Sequence, residues 1–311
     1  MSAKEAGADA VKLQTYTADT ITLDCDNPYF HINHGSLWDG TTLYKLYQKA
    51  CTPWEWHAEL FDYGRSLGLV VFSTPFDYSA VDFLEGLGNP IYKIASFEAM
   101  DFPLIAYAAA KGKPMVISTG VLSLEEIGEA VETCYKAGNN DVTLLVCTSE
   151  YPAAPEDAQL LKIGDLVSRF GVKAGLSDHT MGSAVASAAV ALGACMVEKH
   201  FILDRALGGV DSAFSMSADE FRQMVDTIRI IEKAVSVPDY ARESSGRIHA
   251  RSLFVVRDIK KGELFAADNL RSIRPSNGLH PKYYPQIIGS TATCDIERGT
   301  PLTWDMTSTE I

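Results

Sequence analysis

The chain lacks any run near the roughly 20 uninterrupted apolar residues that span a bilayer, and its opening, Met1-Ser2-Ala3-Lys4-Glu5, has no apolar secretion signal. The expectation is a cytoplasmic protein with no membrane association. Cysteine is sparse and unpatterned. The six (Cys25, Cys51, Cys134, Cys147, Cys195 and Cys294) show no CxxC spacing, and Cys147 and Cys195 sit in apolar runs where they read as reduced core thiols. Positive charge is the scarcer sign: 27 Lys and Arg against 40 Asp and Glu give a formal charge of −13. Such a chain repels polyphosphate backbones, so nucleic acid is not expected as a partner, and any small anionic ligand must be held by local cations.

What remains is an ordinary globular composition, 47% hydrophobic and 22% charged over 311 residues, long enough for one large core or two smaller ones. Up to about residue 235, short β-prone runs alternate with amphipathic stretches, the pattern of repeated βα units on a parallel sheet. The runs are 8–14, 70–74, 91–96, 115–119, 143–148, 173–177 and 195–200, with helix-like segments such as 124–137 and 181–192 between them. A (β/α)8 TIM barrel closes with eight strands, so the pattern is one strand short. SAKEAGADA reads as the end of a helix with a Gly stop, which predicts an upstream strand ahead of it. A doubly wound open sheet is the alternative and needs no eighth strand.

Past residue 235 the texture changes. The expected division is a barrel domain over 1–236, a polar Pro- and Gly-containing linker over 237–248, and a small β-rich domain over 249–311. Within the last, 252–256, 270–273, 287–288 and the DIERGTPL segment read as short strands and charged turns. So small a unit is near the lower limit for independent stability, which predicts docking on the barrel or on a partner chain.

Polar residues gather at the ends of the predicted strands: Lys12 and Gln14, Ser73 and Thr74, Lys93 and Ser96, Ser118 and Thr119, Thr148 and Ser149, Ser177 to His179, and Glu198 to His200. In a barrel these ends share one mouth. Alternation places Lys12 and Gln14 on one face, with Val11 and Leu13 facing the helices, and Lys93 between Tyr92 and Ile94 follows the same rule. Two readings of the lysines stand side by side: they hold a bound phosphate or carboxylate, or they pair with Glu98 or Glu198. His179 and His200 end the last two strands, where they either share a divalent metal or are satisfied core histidines, with Asp178 and Glu198 as candidate orienting groups. His31 and His34 read as surface hydrogen-bonding or substrate-contacting loop residues. His57, behind Trp54 and Trp56, reads as helix packing, and Asp211 in GGVDSAFS either binds sugar hydroxyls or braces a turn.

VKLQTYTADT, STPFD, YKIAS, ISTG, CTSEYP, GLSDHT, EKHF and SIRPSNGLHP together resemble the sialic acid synthase family, in order along nearly the whole chain. LWDGTTLYKLYQKACTPWEWH and GGVDSAFS are most similar to its pseudaminic acid branch. The resemblance implies a barrel followed by an antifreeze-protein-like (SAF) domain, swapped homodimers, a divalent metal (Mn, Mg or Co), and condensation of phosphoenolpyruvate with an amino-sugar aldose. Carried over by motif, phosphoenolpyruvate would lie on Lys12, Thr74, Lys93, Ser96, Ser118, Ser149 and Ser177. Gln14, Tyr151 and Asp211 would face the sugar, His179 and His200 would hold the metal, and Arg274 would reach in from the other subunit. Tyr16, Phe30, Trp38 and Phe214 are candidates for an aromatic sugar pocket. The alternatives are an N-acetylneuraminate or legionaminate synthase, an inactive anion- or sugar-binding homologue, and an aldolase forming a Schiff base on Lys93. The Glu and Asn-His elements that open the family pattern do not precede Lys12 here, which fits a late start.

Overall fold

The computed structural model describes residues 1–33, 35, 38–235, 237–241 and 244–309, so His34 lies outside the described residues. The chain divides into two compact units, Met1–Ser236 and Val237–Ile311. In the first, β1 (Ala10–Thr15), β2 (Val70–Pro75), β3 (Tyr92–Ile94), β4 (Met115–Ser118), β5 (Val142–Cys147), β6 (Lys173–Asp178) and β7 (Val197–Lys199) form one parallel sheet. Their order is strictly consecutive. A doubly wound sheet reverses direction at a switch point, so consecutive order selects the barrel topology over the open-sheet alternative. The sheet curls until its edges meet through side chains: Lys12 Nζ of β1 is 2.6 Å from Glu198 Oε1 of β7. Outside that contact, Arg229 Nη2 is 2.6 Å from Asp9 Oδ2.

Period-2 alternation sorts the strands into two surfaces. Val71, Tyr92, Ile94, Met115, Ile117, Val142, Leu144, Val146, Ala174 and Leu176 face outward into one buried core with the helices. Opposite them, the ladder aligns Lys12 with Phe72 and Gln14 with Thr74, then Lys93 with Val116 and Cys147 with Ser177 and Glu198. The inner surface therefore carries apolar Phe72, Val116 and Leu145 on the same rungs as Lys12, Lys93 and Ser118, and further polar groups at the strand ends. Gly175 is required there, because a Cβ would strike Met196 O of the neighbouring segment.

The helices begin where the sequence places capping residues. Ser123 and Glu126 form a reciprocal capping box on Leu124–Lys136, and Ser217 and Glu220 do the same on Ala218–Ala234. The segment expected to be helical over 181–192 starts only at Ala184, after Gly182 takes a positive φ of 77°. SAKEAGADA does hold a helical turn, Ser2–Glu5, followed by Gly7 at φ 88°. Among the described residues no helix is long and apolar enough to cross a membrane.

The second unit has its own core, with Leu253, Val255, Ile259, Phe265, Leu270, Ile287 and Leu302 at its centre. β8 (Ser252–Val255) pairs antiparallel with β9 (Leu270–Ile273), and isolated bridges such as Ile259 to Ile296 extend the β-rich texture. One expectation is corrected: 287–288 is no strand but ends the helix Tyr284–Ile287, whose proline in the first turn presets helical φ. Ile117 is fully buried between sheet and helices. Ile117→Ala should cost about 2–5 kcal/mol, read as a lower denaturant midpoint with an unchanged slope.

Candidate active site

The polar inner residues converge at the carboxyl ends of the strands, and two ammonium groups organise them. Lys93 is 1% exposed and donates to Ser118 Oγ at 2.6 Å and Ile94 O at 2.9 Å. Lys12 pairs with Glu198, whose Oε1 also accepts from Ser177 Oγ at 3.1 Å. Of the two acidic partners considered for the lysines, Glu198 takes Lys12, while Lys93 is left to neutral acceptors. Burial pushes the Lys93 ammonium down to about 8, with Glu198 resisting the shift and Lys12 adding to it. Burial would raise the Glu198 carboxyl, but attraction to Lys12 and Lys93 overrides it and holds the group well below the usual carboxylate range.

Around these charges lie hydroxyls without protein partners. Thr74 Oγ1 and Ser149 Oγ are buried and unpaired, an expensive state that an anionic oxygen would relieve. Ser96 Oγ accepts from Gly120 N at 3.1 Å, and a Cβ on Gly120 would collide with Ser149 Oγ, so this backbone amide reaches the cluster only as glycine. Gln14 is half-buried opposite Thr74 in the ladder. Ser73 is not part of the cluster: it faces outward, and its Oγ pairs with Thr15 Oγ1 at 2.7 Å. Thr148 Oγ1 is likewise turned away, to Asp157 O.

Beside the anion-ready cluster stands an aromatic group. The rings of His179 and His200 are 5.3 Å apart, and Tyr151 packs on His179 at 4.4 Å and on Phe214 at 5.1 Å. Trp38 lies 6.1 Å from Tyr151 and donates its indole N–H to Val210 O. Tyr16 packs instead on Tyr47 and Phe76, and Phe30 makes no ring contact with the group among the described residues. His179 Nδ1 is 2.7 Å from Thr148 O; a carbonyl only accepts, so Nδ1 carries the proton and Nε2 keeps its lone pair. Burial disfavours the charged form of His179, but the Cys147 thiol and Thr148 carbonyl outweigh it and raise its pKa. Burial, reinforced by His179 and Lys12, pushes His200 down to about 3, so it is neutral, and its Nδ1 lies 3.5 Å from Asp211 Oδ2. Two imidazoles at this separation fit one divalent ion with open positions, His200 as the neutral ring and His179 through Nε2 once that nitrogen is deprotonated. Among the described residues no group of three or more His, Cys, Asp or Glu side chains gathers to hold a metal.

Several expectations change. Asp178 touches neither histidine: it is committed to Lys199 Nζ at 2.6 Å and to Thr180. Glu198 serves Lys12 and Ser177 instead of an imidazole. Cys147 is not a core thiol, because strand parity points it inward, 3.9 Å from His179 Nδ1, and Cys195 is exposed. His57 does pack its helix, fully buried, with Nε2 2.8 Å from Thr15 Oγ1. His31 bonds Asp26 at the surface. Arg274 belongs to the second unit, exposed after β9. The residue that sequence reasoning undervalued is Glu98, with a buried, unpartnered Oε2 and a carboxyl raised by burial to about 7. Its only sequence signal is its place two residues beyond Ser96, in a turn where no periodicity predicts orientation.

Fold and site together define a (β/α)-barrel enzyme whose strand ends set an anion cradle against an imidazole pair. Residues 1–239 match the NeuB family and residues 250–307 the SAF domain, and the chain belongs to the NeuB family. It is 48% identical over 307 residues to a pseudaminic acid synthase of Helicobacter pylori, covering 97% of this chain and 90% of that protein. An N,N'-diacetyllegionaminic acid synthase of Legionella pneumophila is 35% identical, covering 98% of this chain and 87% of that protein. The crystal structure of the spore coat polysaccharide biosynthesis protein SpsE of Bacillus subtilis superposes with a TM-score of 0.64 at 32% identity, covering 100% of this chain and 89% of that one.

If Lys93 holds an anion, loss of its proton must weaken binding. Affinity for phosphoenolpyruvate, measured without metal, should fall as pH rises past about 8. Titration of Lys93→Met should show binding about 10- to 100-fold weaker and without that alkaline limb.

Proposed function

We propose that the chain is a pseudaminic acid synthase that condenses phosphoenolpyruvate with 2,4-diacetamido-2,4,6-trideoxy-L-altrose and releases phosphate. The observation that carries this reading is the juxtaposition of Lys12, Lys93 and the orphaned Thr74 and Ser149 hydroxyls with the imidazole pair and the Tyr151–Phe214–Trp38 rings. An enol phosphate carrying a carboxylate satisfies the first set, and an aldose with methyl and acetamido groups suits the second. The higher identity to the pseudaminic acid relative supports that acceptor over the legionaminic one.

In this reading the methylene carbon of phosphoenolpyruvate forms a bond to the aldehyde carbon of the open-chain sugar, whose oxygen ends as a hydroxyl. Water adds to the cationic carbon left behind, its first proton replacing the one taken up by the sugar oxygen and its second leaving with the phosphate as the carbon–oxygen bond breaks and the ketone forms. Lys12 and Lys93 neutralise phosphate and carboxylate throughout, with Ser96, Ser118, Ser149, Ser177 and Thr74 as donors and Gly120 N beside them. Gln14, Tyr151 and Asp211 face the sugar; burial keeps the Tyr151 hydroxyl protonated as a donor. Glu98, poised near 7, takes the proton of the incoming water. A divalent ion (Mn, Mg or Co) on His179 and His200 would supply Lewis-acid polarisation of the aldehyde. Arg274 is assigned to the site of a partner chain in a swapped homodimer, and the enzyme to the cytoplasm.

Phosphate release from phosphoenolpyruvate should require both the altrose derivative and a divalent metal, and stop with chelator. Release with N-acetylmannosamine or the legionaminic precursor instead moves the chain to those branches, and binding without turnover makes it an inactive homologue. Glu98→Gln should lower kcat by about 100-fold or more and flatten the rate increase through pH 7, with phosphoenolpyruvate affinity retained.

A further inference from the structure

The pair Asp178–Lys199 does not fit a role at the mouth. Strand parity puts Ser177 and Glu198 inside and Asp178 and Lys199 on the opposite surface, where both side chains are 1% exposed. They are ladder partners at the last rung of β6 and β7, and each immediately precedes a histidine of the mouth. Lys199 Nζ donates to Asp178 Oδ2 at 2.6 Å and to Thr180 O at 2.5 Å, while Asp178 Oδ1 accepts from Thr180 N at 2.9 Å and Thr180 Oγ1 at 2.8 Å. The backbone ladder here is short, since β7 has only three residues.

A buried ion pair is a poor source of stability compared with apolar side chains of similar volume, so its presence points to a geometric task. We infer that Asp178 and Lys199 are positioning residues that lock the ends of β6 and β7 in register and thereby fix the separation of His179 and His200. The pair acts through backbone, one residue behind each imidazole, and touches neither ring nor substrate. The inference rests on the proposed metal site.

The test is Mn2+ binding to the full chain, followed by calorimetry and by the electron paramagnetic resonance of the ion, without turnover. Asp178→Asn with Lys199→Met removes both charges together and keeps an amide oxygen for Thr180. The double variant should fold by circular dichroism, bind phosphoenolpyruvate as before in the absence of metal, and lose about tenfold or more in Mn2+ affinity with a broadened spectrum. If it does not fold, Asp178→Asn alone, which retains an acceptor for Lys199, reads the same loss. Unchanged Mn2+ affinity and spectrum in either folded variant overturns the inference. His179→Ala with His200→Ala separates the two claims: retained Mn2+ binding there overturns the metal site itself, whereas its loss with intact binding in the Asp178 and Lys199 variants overturns only the positioning role.

Discussion

The constraint on which the site depends is the burial of two ammonium groups and one carboxylate inside a barrel wall. Lys12 and Glu198 come from the first and last strands of the sheet, and their 2.6 Å contact spans the two edges that no ladder joins. Lys93 has no carboxylate in contact and is held by a hydroxyl and a carbonyl. The arrangement is one positive charge in excess, surrounded by unpaired hydroxyls, which is a mould for an anion more than a finished core.

Much of this was legible in the sequence. Consecutive βα alternation gave the strand count and positions within a few residues, because each outward-facing run is apolar enough to stand out. Alternation also placed Lys12, Gln14 and Lys93 on one face. What escaped was whatever the period-2 rule does not reach or was not applied to. Cys147 follows the rule and points inward, but its chemistry resembles that of a small hydrophobe, so composition masked parity. Ser73 and Thr74 are adjacent and therefore must diverge; only Thr74 joins the site. Glu98 sits in a short turn whose direction depends on tertiary packing, and Asp178 finds its partner 21 residues away, which no local pattern reveals.

The second half of the site shows how a buried aromatic setting decides protonation. Thr148 O fixes the tautomer of His179, and packing of His200 among Tyr151, His179 and Phe214 keeps its imidazole neutral. Backbone placement thus sets the tautomer of His179 and ring packing the neutral state of His200, with Asp211 beside His200 Nδ1. In the same neighbourhood burial keeps the Tyr151 hydroxyl protonated and lifts Glu98 towards neutrality, so donors and acceptors coexist without extra charges.

The unpaired Thr74 and Ser149 hydroxyls and the strained Lys93 charge have a thermodynamic corollary. An anion that binds this mouth, and not the unfolded chain, adds its binding free energy to the stability of the fold by mass action. Supply of the small anion would thereby raise the resistance of the native chain to unfolding.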